Sequence, residues 1–565
     1  MKIGARLITG TGFIALIWAS HIGAFAAPVD VQIPSQIGNE VIYQILTDRF
    51  EDGNPSNNCG KNDSGLDAQQ QLLDQQTCDP QKKDWNRYWG GDFEGIEKRL
   101  SYLRNLGVTR IWISPIIENA RGFASGDGTL KTAYHGFWGR DWFRLNEHWT
   151  NKGRDDLDSL KRLIAAAQAS GIGVIVDTVA NHSSPAGDAE YGAVYDSGSF
   201  VASSVKNESG WFRPYPAIRW ELAEAPVQDK EKMAFLRQYL FQHELRAGKK
   251  SVDDFGQFQN VSPKELQSFM LQKYMLADLA DFDQGKQEVA EYLERAHAWP
   301  VKMGVVGYRI DTVRHISLDY WKKFVTQLRN VKPDVVLVGE WFGGGPMNAD
   351  SMDFVEKTGI TIFDFNLRGK FEDLFLKKAG LKDFGSFLQS SIDPLTGKDR
   401  AENLVTFVDN HDLPRMQSLG ASNGDVLELL KLLFAVRGVP CVYYGLENFL
   451  HTKTGGGRDP YNRDWMTFPQ ESASPGQRVL KALSGYRKAH SELRFGKTKL
   501  VTADDRSLII ERESEAGKTR ILVQDSKLGR AVPRALKGWR ETPLPSSKGS
   551  RWTVRYYSPP AEAGR

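Results

Sequence analysis

Six polar residues close β-rich, apolar runs of this chain: Asp177, Arg309, Asp311, Glu340, His411 and Asp412. A carboxylate at the end of a buried strand is costly unless a charge or a hydrogen bond meets it, so such residues mark a site. Carboxylates converging from different strands suit metal binding, or glycoside hydrolysis by a nucleophile and a general acid. Rings near the same strand ends (Tyr134, Phe137, Trp138, Trp341 and Phe342) favour a sugar, because flat rings stack on sugar faces. Any one ring alone reads equally well as core; the combination with carboxylates points to the sugar. Arg309 precedes Asp311 by two residues on the same strand face and should favour its ionised form. Glu340, beside Trp341, Phe342 and other acids, should have a raised pKa and hold a proton to donate.

The elements that must position these residues are eight β-rich runs alternating with helical patterns. The runs begin near residues 41 (VIYQILTDRF), 109 (TRIWISP), 173 (GVIVDTV), 305 (VVGYRIDTV), 335 (VVLVGEWF), 360 (ITIFDF), 403 (NLVTFVDNHD) and 440 (PCVYYGLENF). Apolar runs separated by helices predict a parallel sheet covered on both faces, and eight of them a closed (β/α)8 TIM barrel, with its site at the C-terminal strand ends. Helical patterns at residues 93–107, 155–171 and 425–438 each finish at a Gly, as a helix C-cap prefers. About 100 residues separate the third strand from the helix leading to the fourth, enough for a small domain of its own. After about residue 490, short alternating strands with Gly, Pro and Ser turns predict a C-terminal antiparallel β-sandwich. The expected division is 27–181 and 283–488 for the barrel, 182–282 for the insertion after strand 3, and 489–565 for the C-terminal β domain.

Composition bounds the partners. The 565 residues are 41% hydrophobic and 25% charged, the balance of a globular protein, and the net charge of +3 is too small to drive binding to a nucleic acid. Residues 1–26 carry Lys2 and Arg6, a short apolar centre and an Ala24-Phe25-Ala26 exit. That pattern is a secretory signal peptide, too short for a membrane anchor, so the mature chain is expected to be exported, periplasmic or secreted, without an anchor, and monomeric. In an oxidising compartment Cys59 and Cys78, which bracket a polar stretch, are expected to pair. Such a bridge contributes about 3 kcal/mol by chain entropy. Cys441, in an apolar run, reads as an inert buried thiol.

Four motifs in order resemble those of the α-amylase family of retaining glycoside hydrolases (glycoside hydrolase family 13) over roughly residues 38–490. They are Asp177 to His182 (DTVANH), Gly307 to His315 (GYRIDTVRH), Gly339 to Phe342 (GEWF) and Phe407 to Asp412 (FVDNHD). The resemblance implies Asp311 as nucleophile, Glu340 as general acid and then base, and Asp412 as a binder of sugar hydroxyls that stabilises the oxocarbenium-like transition state. Retention calls for carboxyls about 5–5.5 Å apart at Asp311 and Glu340. It also implies substrate contacts at His135, Phe137, Trp138, Asp177, His182, Arg309, Arg314, His315, Phe342 and His411, with Asp459 and Arg463 gripping a sugar further along the donor side. Phe137 stands where the family usually has Tyr, which keeps the stacking face and loses the phenol's hydrogen bond.

The same resemblance implies one or two Ca2+ ions. One set is Asn181, Asp281 and the carbonyl of His315, pinning the insertion to the barrel. A second, in DGNPSNN and GGD, is Asp52, Asn57, Asn58 and Asp92 through side-chain oxygens and Asn54 and Gly90 through carbonyls, as in cyclodextrin glucanotransferases and related bacterial α-amylases. Hard oxygen donors suit calcium, and no Cys/His cluster offers zinc an alternative. The glucanotransferases carry a bulky aromatic just before the motif that begins here at Asp278; this chain has Ala277, with Tyr274 three positions away. They also usually carry two further domains beyond the first β domain, whereas this sequence stops at Arg565. The expectation is therefore endo-hydrolysis of α-1,4-glucosidic bonds in starch, glycogen and maltodextrins. The alternatives are a cyclodextrin glucanotransferase or other α-1,4-glucan transglycosylase, or a hydrolase preferring cyclodextrins or maltodextrins. A non-catalytic binding subunit of the same fold is disfavoured, because all three acids are present.

Overall fold

Eight short strands of buried residues wind into a parallel barrel in the computed structural model. They are β1 (Ile42–Ile45), β2 (Arg110–Ile113), β3 (Gly173–Thr178), β4 (Gly307–Ile310), β5 (Val336–Gly339), β6 (Thr361–Ile362), β7 (Val405–Phe407) and β8 (Val439–Tyr443). Their order in the sheet is β6-β5-β4-β3-β2-β1-β8-β7, each pairing parallel with its neighbour. The circle closes where Phe363 bridges Val405 in parallel and the Asp364 amide donates to the Val405 carbonyl. All eight runs read from the sequence are strands of this barrel. The structure describes residues 33–60, 76–124, 130–185, 192–205, 207, 209–214, 230–231, 233–234, 262–264, 267, 271–272, 276, 279–469, 472–545 and 547–560. The signal pattern at 1–26, most of the insertion, and Tyr274, Ala277 and Asp278 lie outside them.

Strand alternation sets what fills the barrel. Ile42, Trp112, Ile175, Val336, Val338, Phe363, Val405, Phe407, Val439 and Cys441 form one buried cluster that lines its inside. Continuing the same face of a strand by two residues carries Ile175 to Asp177 and Val338 to Glu340, so the pleat that packs the core also points the acids inward. Tyr43, Ile111, Val176, Tyr308 and Leu337, on the other face, join the large cluster beneath the surrounding helices.

The helices follow their capping chemistry. The pattern at 93–107 is two helices, α1 (Phe93–Lys98) and α2 (Leu100–Leu106), meeting at Arg99; α2 ends on Gly107 at φ 83°, the left-handed cap expected. Helix α3 (Leu157–Ala169) is capped by the Asp156 side chain, which accepts from the Ser159 amide. The third expectation needs correction: α4 (Asn423–Ala435) ends three residues short of Gly438, because Val436 turns extended to lead directly into β8. Beyond the barrel, β9 (Lys497–Ala503), β10 (Ser507–Ser514), β11 (Gly517–Asp525), β12 (Arg540–Glu541) and β13 (Trp552–Ser558) form one antiparallel sheet in the order β9-β10-β11-β13-β12. It is tied to α4: the Val554 amide donates to Glu428, and the Tyr556 hydroxyl to the Lys431 carbonyl. Among the described residues no helix is long and apolar enough to cross a membrane.

Candidate active site

Register alone places the first three groups. Arg309 of β4 lies directly beside Asp177 of β3 and Val338 of β5, and Asp311 and Glu340 follow β4 and β5 at the mouth. The guanidinium then reaches three acids: Nη1 is 3.0 Å from Asp177 Oδ1 and 2.8 Å from Asp311 Oδ1, and Nη2 is 2.9 Å from Glu340 Oε1. Trp112 donates its indole N–H to Asp177 Oδ2 at 3.0 Å, holding that carboxyl from the β2 side. Side-chain exposure rises from 2% at Arg309 through 9% at Glu340 and 13% at Asp311 to 32% at Asp412. The cation is the floor of the site, and Glu340, Asp311 and Asp412 lie progressively nearer its mouth. Thr312, immediately after Asp311, sits at φ 49°. A β-branched residue in the left-handed region is strained and persists only where its surroundings impose it; the turn follows at once on Asp311, whose amide still donates to the Thr178 carbonyl at 2.9 Å.

Burial acts most strongly on the enclosed acids of the floor. Burial raises Glu340 well above the ordinary range; Asp311, Asp412 and Asp177 push the same way, against Arg309. Asp177, fully buried, is pushed by desolvation up to about 7, with Arg309 opposing. Burial holds the imidazoles of His135 and His411 well below their ordinary value, so both are neutral hydrogen-bonding groups near pH 7.

A wall of rings forms one side. Phe137 stacks on His411 with centroids 5.2 Å apart and planes 3° from parallel, and His135 packs on Phe137 at 5.6 Å and edge-on to Trp138 at 5.1 Å. Gln44, at the end of β1, meets His411 Nδ1 at 2.7 Å, and His411 Nε2 lies 3.4 Å from Asp412 Oδ2. Arg463 ties this wall to Asp459: it lies 2.8 Å from Asp459 and 3.6 Å from Asp412, and donates to the Tyr134 hydroxyl and the His411 carbonyl. His182 is buried in a short strand opposite Asp281. Arg314 donates to Gln267 and borders a cavity with Lys264, Leu271 and Trp341. Phe342 is 54% exposed and leans on Phe365. Gln44 and Trp112 escape the sequence reading although both sit in predicted strands; Gln44 was detectable as the lone polar residue in IYQI.

The two proposed calcium sets differ in kind. In the second, Asp52 Oδ1, Asn57 Oδ1 and Asn58 Oδ1 are buried without a hydrogen-bond partner, three oxygens within one short segment. Asp92 accepts from the amides of Gly53, Asn54 and Gly95, which ties that segment to the start of α1. Gly90, at φ 102°, closes the cradle, and a Cβ there would come within 2.6 Å of Asn58 Oδ1. Orphaned oxygens of this kind fit a hard cation. In the first set one oxygen, Asp281 Oδ1, is orphaned, but Arg213 Nη1 donates to the His315 carbonyl at 2.9 Å and reaches Asn181 Oδ1 at 3.4 Å, so a guanidinium already draws on the oxygens an ion would take. That set does not fit a metal ion. Among the described residues no three His, Cys, Asp or Glu side chains group so as to hold one. Cys59 and Cys78 form a disulfide with Cα atoms 5.3 Å apart.

A barrel whose floor arginine gathers acids from three consecutive strands can be compared with known proteins. The family model for the α-amylase catalytic domain matches residues 44–478. The chain belongs to the α-amylase family. This family member is 30% identical over 509 residues to a cyclomaltodextrin glucanotransferase of Bacillus sp. (strain 6.6.3), covering 88% of this chain and 61% of that protein. The chain therefore spans about three-fifths of the length of the curated relatives it matches. A solved cyclomaltodextrin glucanotransferase with a three-domain ABC distribution superposes at a TM-score of 0.71 and 28% identity, covering 92% of this chain and 97% of that one. An Anoxybacillus α-amylase shares the fold at a TM-score of 0.63 and 23% identity, over 93% of this chain and 99% of that one. A three-domain glucanotransferase removes the argument that a short C-terminal side speaks for hydrolysis.

Proposed function

We propose that this α-amylase-family chain cleaves α-1,4-glucosidic bonds with retention and passes the glycosyl group chiefly to a sugar hydroxyl, as a cyclodextrin glucanotransferase-type transglycosylase. The observation that carries the chemistry is the single guanidinium of Arg309 holding Asp311 and Glu340 side by side at the barrel mouth. A carboxylate oxygen of Asp311 attacks the anomeric carbon as the glycosidic C–O bond breaks. Glu340 gives its proton to the departing sugar oxygen, and a glycosyl ester forms on Asp311. In the second half Glu340, now a carboxylate, takes the proton of an incoming hydroxyl. That oxygen bonds to the anomeric carbon and Asp311 leaves as carboxylate. Asp412 and the His411–Phe137 wall hold the sugar whose charge develops.

The acceptor decides between transfer and hydrolysis. The glucanotransferase relatives support transfer. A second reading, endo-hydrolysis of starch, glycogen and maltodextrins, is favoured by Ala277, which stands where an aromatic ring is expected. Chromatography of products from soluble starch over time separates the two: rings, or longer oligomers made from short ones, support transfer, whereas linear oligomers and reducing ends growing together from the first minutes refute it. We assign Ca2+ to the second set alone, through Asp52, Asn57, Asn58, Asp92 and the carbonyls of Asn54 and Gly90, as a structural ion. Export through residues 1–26 is supported by the Cys59–Cys78 disulfide, and a monomer acting on an uncharged glucan agrees with the small net charge.

A further inference from the structure

Arg213 lies in the part of the chain between β3 and β4, and its side chain is 6% exposed. Its backbone is anchored first: the Arg213 amide donates to the Asp281 carbonyl at 2.8 Å, and the flanking Asp283 amide to the Trp211 carbonyl at 2.7 Å. From that anchor Nη1 reaches the His315 carbonyl at 2.9 Å, Asn181 Oδ1 at 3.4 Å and Asp281 Oδ2 at 3.8 Å, while Nη2 donates to Gln284 Oε1. Gln284 is fixed in turn by its amide, which donates to the Ala180 carbonyl at 2.8 Å. One planar cation thus joins the segment after β3, the segment before β4's leading helix, and the turn after β4.

We propose that the Arg213 guanidinium is the resident cation of this junction, standing in for a divalent ion, and that the chain pins its insertion to the barrel without metal there. Three observations converge. Calcium needs six to eight oxygens at about 2.3–2.6 Å, and here Nη1 already holds the carbonyl that an ion would share. Asn181 gives its NH2 to Asp281 Oδ2 and its oxygen to Nη1, so the guanidinium draws on a second oxygen that an ion would share and leaves only Asp281 Oδ1 without a partner. The guanidinium sets a positive charge against Asp281 and the neighbouring Asp283, and its directional N–H bonds suit the carbonyl and amide acceptors.

Metal counting on the full-length protein tests this independently of how calcium behaves at the second set. A variant with Asp52→Asn and Asn58→Leu removes two of that set's oxygens. It should hold no calcium after gel filtration, by elemental analysis, and EDTA should leave its thermal midpoint unchanged. Arg213→Met, of similar volume, should lower the midpoint by several degrees, and Arg213→Lys should recover part of the loss. One calcium per chain in the double variant, lost to EDTA with a fall in midpoint, overturns the proposal. So does an Arg213→Met protein as stable as its parent.

Discussion

Glu340 and Asp311 share one arginine yet differ in setting: burial dominates at Glu340, whereas Asp311 stands nearer the mouth on a strained turn. Glu340→Gln should cut kcat/KM on starch about 10²–10⁴-fold while largely sparing α-glucosyl fluoride, whose leaving group needs no proton in the first half-reaction. Asp311→Asn should abolish both, measured by fluoride release and by reducing ends. In the proposed mechanism Glu340 acts with its proton on, so the alkaline limb of kcat/KM should lie above the ordinary carboxylate range. Asp177 makes a statement about stability. Its pKa is raised from 3.8 unfolded to about 7 folded, so the folded state holds its proton more tightly. That contribution is complete below pH 3.8 and lost as pH rises through 7, on the order of a few kcal/mol. Asp177→Asn should flatten the fall of thermal midpoint between those values, and an unchanged slope would assign the fall to other buried acids. These residues were legible because polar groups ending apolar runs stand out in one dimension. Gln44 and Trp112 were less so, since what matters about them is the neighbour each meets, His411 and Asp177.

At the scale of elements, residues 52–60 and 76–92 are joined by a disulfide, by Asp92 bridging Gly53 and Asn54 to α1, and by the cradle we assign to calcium. Replacing Cys59 and Cys78 by Ser should cost about 3 kcal/mol in urea unfolding followed by tryptophan fluorescence. A midpoint unchanged within error would mean that the cradle alone joins the two stretches. Strand existence was readable at all eight positions because buried parallel strands are short apolar runs bounded by turns. Helix ends were less readable. The Gly after α2 is a cap, whereas Gly438 is already in the approach to β8, and only the path of Val436 distinguishes them.

For the whole molecule, a net charge of +3 on 565 residues leaves no field to gather a polymer, and glucans carry no charge to be gathered. The KM for soluble starch should therefore change less than about twofold between 50 and 500 mM NaCl, whereas a tenfold rise would reveal an electrostatic contribution to binding. The sequence by itself determined the barrel, the identity of its acids and the chemistry they can do, because side-chain period, strand length and motif order are local properties of a chain. Only the tertiary structure decided how charges are shared across strands. It put Asp177, Asp311 and Glu340 on one guanidinium, and it brought Arg213 to Asp281 and to the His315 carbonyl across 68 and 102 residues. A cation can be matched to its partners only where the folded chain has taken both out of water, and sequence distance carries no record of that meeting.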